Sequence, residues 1–145
     1  MDDFFKKIDN RIGAQKKSKS DFNEMKKNNE EFFEHTSLRL IPILEQYVEE
    51  IKKRNIQVKS TSNKRYISVE LKYKNGGYSS LLLSTNLESG RIEFQKNYTG
   101  DNGERFVSVD GSSYDERTWK DDIFKTKIEK LIEDFVFYAP RYGGF

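Results

Sequence analysis

A chain of 145 residues is long enough for one folded domain, and its eleven Phe and eight Tyr supply bulky core material that a disordered chain lacks. It holds no cysteine and one histidine, which excludes disulfides, thiolate metal sites and cysteine nucleophiles and leaves a histidine triad or zinc site without partners. Charged and hydrophobic residues each make up 34%, and the net charge of +2 selects no class of partner by itself. The opening "MDDFFKKIDN" has no apolar signal core, and no stretch approaches the ~20 apolar residues of a membrane span, so a cytoplasmic location without a membrane partner is expected.

In chain order, the first element is a short amphipathic helix with Phe5, Ile8 and Ile12 on one face. The glycine-led, polar "GAQKKSKS" reads as a loop. "SDFNEMKKNNEEFFEH" reads as a second helix, with Asp21 and Glu24 at capping-box spacing and Phe22, Met25 and Phe32 or Phe33 lining its inner face. "TSLRLIPILEQYVEEIKKRN" is the clearest helix. Leu40, Leu44, Tyr47, Val48 and Ile51 form its stripe, Ser37 is placed to cap its start, and Asn55 to close it in a left-handed conformation. Pro42 lacks an N–H and marks either a kink or a first turn.

The period then changes from 3.6 to 2. "IQVKS", "RYISVELKY", "YSSLLLST", "RIEFQKNY" and "RFVSVD" read as five strands. The turns between them, "NGG", "LESGR" and "TGDNGE", contain the residues that tolerate positive φ. Ile67, Val69, Leu71 and Tyr73, then Ile92 and Phe94, are expected to face inward. The last helix carries Phe124, Ile128, Leu131, Ile132 and Phe135 at spacings of three and four, and Pro140 stops it. The expected fold is α+β: N-terminal helices, a five-stranded antiparallel meander and a C-terminal helix packed on the sheet. Residues 1–145 form a single domain, with 1–34 a helical segment and 35–145 the helix–sheet–helix core.

Charge is unevenly spread. Residues 52–74 hold eight cations, Lys52, Lys53, Arg54, Lys59, Lys64, Arg65, Lys72 and Lys74, against Glu70, a balance of +7. Residues 101–122 hold seven acids, Asp101, Glu104, Asp110, Asp115, Glu116, Asp121 and Asp122, against three cations, a balance of −4. Opposed patches speed encounter and select partners.

Four sets of residues carry candidate chemistry. Tyr138, Arg141, Tyr142 and Phe145 bring to the chain end the residue types that dominate interface energies, and the acids Asp110, Asp115 and Glu116 suit a basic partner surface. The tail can alternatively fold back over a sheet edge or the helix stripe, its glycines allowing the sharp turn. Lys52, Lys53, Arg54, Lys59, Lys64 and Arg65, with Tyr66 and Tyr73 beside them, suit a phosphate backbone and stacked bases. Asp110, Asp115 and Glu116 could also gather calcium, but the spacing misses the EF-hand pattern.

Glu70-Leu71-Lys72 resembles the (D/E)-x-K half of the restriction-endonuclease-like nuclease motif, in which the carboxylate holds magnesium and the lysine orients a water. The preceding strand carries no acid, and strand alternation alone accounts for both residues.

The leading expectation is a non-enzymatic protein-binding module, an inhibitor or immunity-type protein that masks a partner's functional surface. It has no catalytic residues, metal or cofactor. The other readings are a nucleic-acid-binding accessory protein using the basic surface, a structural homodimer joined at a sheet edge or through the Phe-rich N-terminal helices, and a magnesium-dependent nuclease.

Overall fold

Alternation along five successive segments, each ended by residues that turn the chain, produces a meander. The computed structural model describes residues 1–100 and 102–145, with the side chain of Asp110 also outside the description. Its elements are α1 (Asp2–Lys53), β1 (Gln57–Ser62), β2 (Tyr66–Lys72), β3 (Tyr78–Asn86), β4 (Arg91–Thr99), β5 (Arg105–Tyr114) and α2 (Asp121–Tyr138), followed by a 3₁₀ turn at Ala139–Tyr142. The sheet order is β1-β2-β3-β4-β5 and every pairing is antiparallel. The class is α+β, with a five-stranded meander and a C-terminal helix on the sheet, as expected.

The register sorts side chains into rows. Val58, Leu71, Ser79, Tyr98 and Phe106 lie side by side across the sheet, as do Ser60, Val69, Leu81, Lys96 and Ser108. These rows share the helical face with the buried Ile67, Leu83, Ile92 and Phe94. The opposite face carries the rows Lys59, Glu70, Ser80, Asn97, Val107 and Thr61, Ser68, Leu82, Gln95, Val109.

On the helical face, α1 contributes Phe33, Leu40, Leu44 and Ile51, spaced seven, four and seven apart, and α2 contributes Phe124, Ile128, Leu131 and Phe135. The two helices are tied by Arg39, whose Nε donates to Asp121 Oδ2 at 2.9 Å, and by Tyr47, whose hydroxyl donates to Glu129 Oε1 at 2.7 Å. Asn55 closes α1 with φ 60°, and α2 gives way to the 3₁₀ turn that contains Pro140. No helix among the described residues is long and apolar enough to cross a membrane.

Three expectations are corrected. The N-terminal third is one helix of 52 residues rather than three pieces, with Gly13, Ser20-Asp21 and Ser37 all inside it. A single interior glycine costs only about 1 kcal/mol, and a serine acts as a cap only where the chain leaves the helix. Ser37 instead sits buried between Phe33 and Leu40 on the packed face.

Second, Phe22 and Met25 are exposed and line no core, because the body of the domain begins beyond them. The first hydrogen bond from α1 to the body, among the described residues, is Asn29 Nδ2 to the Leu87 carbonyl, at 2.6 Å. Third, β5 does not stop at residue 110, where the expected strand ends, but runs on to Tyr114. Gly111 at φ 76° and a register shift between Glu93 and Gln95 absorb the irregularity, so the strand resumes pairing instead of ending.

Candidate protein-binding groove

α2 and the chain end roof only part of the helical face. Where they stop, the inward side chains of β4 and β5 stand uncovered and form a groove of about 660 Å³. One wall is Tyr98 and Phe106, neighbours in register on β4 and β5, with ring centroids 5.5 Å apart. The other wall is Tyr138 and Tyr142, with Tyr73 behind them. Lys96, Ser79, Ser108 and Asp134 supply the polar groups between the walls.

The chain end builds its wall by folding back. Gly143 and Gly144 have φ of 78° and 84°, a conformation that glycine alone adopts without strain, and it turns the backbone toward β2. There the Lys74 N–H donates to the Gly144 carbonyl at 2.9 Å. Tyr142 then stacks on Tyr73 at 4.7 Å and donates its hydroxyl to the Thr99 carbonyl at 2.9 Å. Tyr73 is itself stacked on Phe135 at 4.0 Å and donates to the Phe135 carbonyl. Phe145 packs toward Phe135, with centroids 6.0 Å apart, and does not line the groove. Arg141 lies over the Tyr138 ring, its guanidinium carbon 5.2 Å from the centroid.

The ionisable groups here are tied down. Asp134 accepts from Lys96 and from Lys130, each at 3.1 Å. Burial pushes its carboxyl upward, but the hydrogen bonds from the two ammonium groups outweigh that and hold it below the usual carboxylate range. A carboxylate so engaged is a poor proton acceptor, whereas a slot between aromatic walls with charged groups at its rim suits a side chain from another molecule. Each aromatic pair formed there adds about 1 kcal/mol beyond the area it buries.

The sequence-derived binding set divides. Tyr138, Arg141 and Tyr142 meet at the groove, and Phe145 lies beside it. Asp115 and Glu116 lie at the opposite end of α2, whose 18 residues span about 27 Å. Asp115 shapes the loop into α2. Its Oδ1 accepts from the N–H and the hydroxyl of Thr118 and from the N–H of Arg117, and these bonds lower its pKa. Glu116 is exposed, and Asp110 falls outside the described side chains.

The basic set also divides. Lys52, Lys53 and Arg54 end α1, where Lys53 and Arg54 both pair with Glu50 at 3.0 Å. Lys64 and Arg65 occupy the β1–β2 turn at the far end of β1, and Arg65 lies 3.9 Å from Glu30. Lys59 faces Glu70 across β1 and β2 on the open face, where Lys72 also lies. Among the described residues, no group of three or more His, Asp or Glu side chains could hold a metal ion. His35, the single histidine, is exposed on α1.

Sequence reasoning missed Tyr98, Phe106, Lys96 and Asp134. The alternation that sends Ile92 and Phe94 inward also sends Lys96 and Tyr98 inward. A lysine on a core-facing position was the available signal that the cover ends there. Comparison with known proteins finds no matching family model, no similar curated protein and no similar solved structure.

Proposed function

We propose that the chain is a non-enzymatic protein-binding module that takes an extended segment of another protein into the aromatic groove beside β5. The observation that carries this reading is the placement of that groove. It lies against the edge strand of the sheet, walled by Tyr98, Phe106, Tyr138 and Tyr142. An edge strand offers main-chain donors and acceptors to an incoming strand, and alternate side chains of that strand then enter the groove. The exposed Val107 and Val109 on the other side of β5 would contact the residues between. An inhibitor or immunity-type protein that masks a partner's surface is the specific form of this reading favoured by the small domain and its Lys/Asn/Ile-rich composition.

The test is selection of peptides from a random display library on the full chain, followed by affinity measurement on Phe106→Ala and Tyr138→Ala variants. Both residues are partly exposed and lie outside the buried core, so the variants are expected to keep the fold, which circular dichroism checks. Enrichment of peptides bearing an aromatic residue is expected, with tenfold or greater weakening in each variant, the scale of a loss of roughly 1.4 kcal/mol or more. Peptides bound equally well by both variants, or no enrichment at all, would overturn the reading.

A further inference from the structure

The groove does not end at its aromatic walls. A second hollow of about 320 Å³ continues it along the inner face of β5. The two share Lys96 and Ser108, and the second is floored by Leu81, Phe94 and Leu131. The α2 side of the joined trough is a single stripe of the helix. Lys127, Lys130, Asp134 and Tyr138 follow one another at spacings of three, four and four, and Arg141 comes after them in the 3₁₀ turn. Lys127 reaches over the floor, its ammonium 5.6 Å from the centroid of the Phe94 ring. The other flank of α2 faces α1, where Arg39 holds Asp121 and Tyr47 donates to Glu129. Two acids of α2 are thus taken up by α1, while Lys127 and Lys130 stand beside β5.

Among the described side chains, Lys96, Lys127, Lys130 and Arg141 line the trough against Asp134 and Glu104, a balance of +2. The charge is graded along its length. Glu104 and Arg141 stand at the aromatic end, and Lys96, Lys127 and Lys130 gather at the other. Asp134 is shared there by Lys96 and Lys130, at 3.1 Å each. An ammonium group has three donors, so one bond to Asp134 does not use up either lysine. The main chain of β5 supplies the facing side. Gly100 N–H donates to the Glu104 carbonyl at 2.7 Å, and bonded and non-bonded pairs alternate along an antiparallel ladder. Phe106 and Ser108 therefore bond to β4, and the main-chain groups of Arg105, Val107 and Val109 point away from the sheet. A strand that pairs with them directs alternate side chains to the trough side, about 7 Å apart. One falls opposite Phe106 at the aromatic end, and the next opposite Ser108 at the lysine end.

We propose that the segment taken up by β5 is an acidic strand, with an aromatic residue for the end walled by Tyr98, Phe106, Tyr138 and Tyr142 and acidic residues two and four positions away for the lysine end. The inference rests on the groove reading above and adds the chemistry of the occupant. Complementary charge across such a trough fixes the register of the strand and selects against basic segments. Single-stranded nucleic acid also stacks on aromatics beside cations. The outward N–H and C=O groups along β5 match a polypeptide strand instead.

The experiment uses the full chain and the synthetic peptide Thr-Glu-Val-Glu-Val-Tyr-Thr with its reverse, which together cover both strand directions. Counterparts carry Gln or Lys in place of both Glu residues. The better Glu peptide is expected to bind tenfold or more tightly than its Gln counterpart at roughly 0.1 M salt. It is expected to lose most of that margin at roughly 1 M, where charges are screened beyond about 3 Å. Lys127→Gln combined with Lys130→Gln is expected to abolish the margin and leave the Gln peptide's affinity unchanged, with circular dichroism confirming the fold. The comparison of peptides on the unaltered chain needs no variant at all. Equal binding of Glu and Gln peptides, both weakened by Phe106→Ala, would overturn the acidic specificity and leave the groove standing. Tighter binding of the Lys peptide, or a margin that survives the double lysine variant, would overturn it too. So would an oligouridine that binds more tightly than the Glu peptide and displaces it. Absence of any binding that depends on Phe106 would overturn the groove reading and this inference together.

Discussion

Tyr73 is the residue on which the groove and the core meet. Its ring lies between those of Phe135 and Tyr142, and its hydroxyl donates to the Phe135 carbonyl. Burial, aided by the neighbouring Tyr142 and Asp134, pushes its pKa up to about 12. Tyr47 reaches about 12 as well, through burial and its bond to Glu129. Both folded-state values lie above the unfolded one, ~10. The stability these phenols contribute is therefore complete below pH 10 and is lost as pH rises through 12. An ultraviolet absorbance titration is expected to show two tyrosines ionising near pH 12 in the folded chain and none there in denaturant. A folded chain with no late class would refute the packing drawn for both. The carboxylates behave in the opposite sense. Hydrogen bonds from Arg39 and Trp119 lower Asp121, so the stability it contributes is present above the ordinary carboxylate range and fades as pH falls through its folded value.

Among the elements, α1 carries an internal cost. Pro42 lies within it and is exposed, so its ring packs against no core, while the Leu38 carbonyl loses the N–H it would otherwise accept from. A proline inside a helix costs about 3 kcal/mol, part of which its stiffening of the unfolded chain returns. Pro42→Ala is expected to stabilise the domain by about 1–2 kcal/mol, read as a higher urea midpoint at unchanged slope. A lower midpoint would mean that α1 needs a bend at Pro42 to seat Leu40 and Leu44 on the sheet. The same helix shows how unevenly local signals can be read. Its apolar stripe from Leu40 to Ile51 was legible because period 3.6 is imposed by burial itself. The absence of breaks at Gly13 and Ser37 was not, since a cap-competent residue is also tolerated in mid-helix when its neighbours hold the helix in place.

At the scale of the molecule, the chain end is a structural part of the domain and one wall of its groove at once. Tyr142→Ala removes a stacked ring and a hydrogen bond to Thr99, and it uncovers Tyr73. A loss of about 2 kcal/mol is expected, combining the hydrogen bond and the burial, together with weaker binding of any groove ligand. Chemical denaturation and peptide affinity measured on the same variant check both. Unchanged stability would show that the tail contributes nothing to the domain. The molecule is also less polarised than its sequence blocks suggest. The basic stretch is divided between the two ends of β1, with Lys53, Arg54 and Arg65 each close to a glutamate.

The α+β class, the five strands in meander order, the inward faces of β2 and β4 and the closing helix were all determined by the sequence alone. They depend on short-range periodicity and on turns of two to five residues, which are local properties of the chain. The tertiary structure decided the rest. It merged the first three helical segments into α1, carried β5 past its expected end, split the charge blocks and brought Tyr98 and Phe106 of the sheet opposite Tyr138 and Tyr142 of the chain end. The last of these rests on which surfaces meet across 30 to 70 residues of chain. Spacing within one segment records that a side chain faces inward, but not where the covering helix stops.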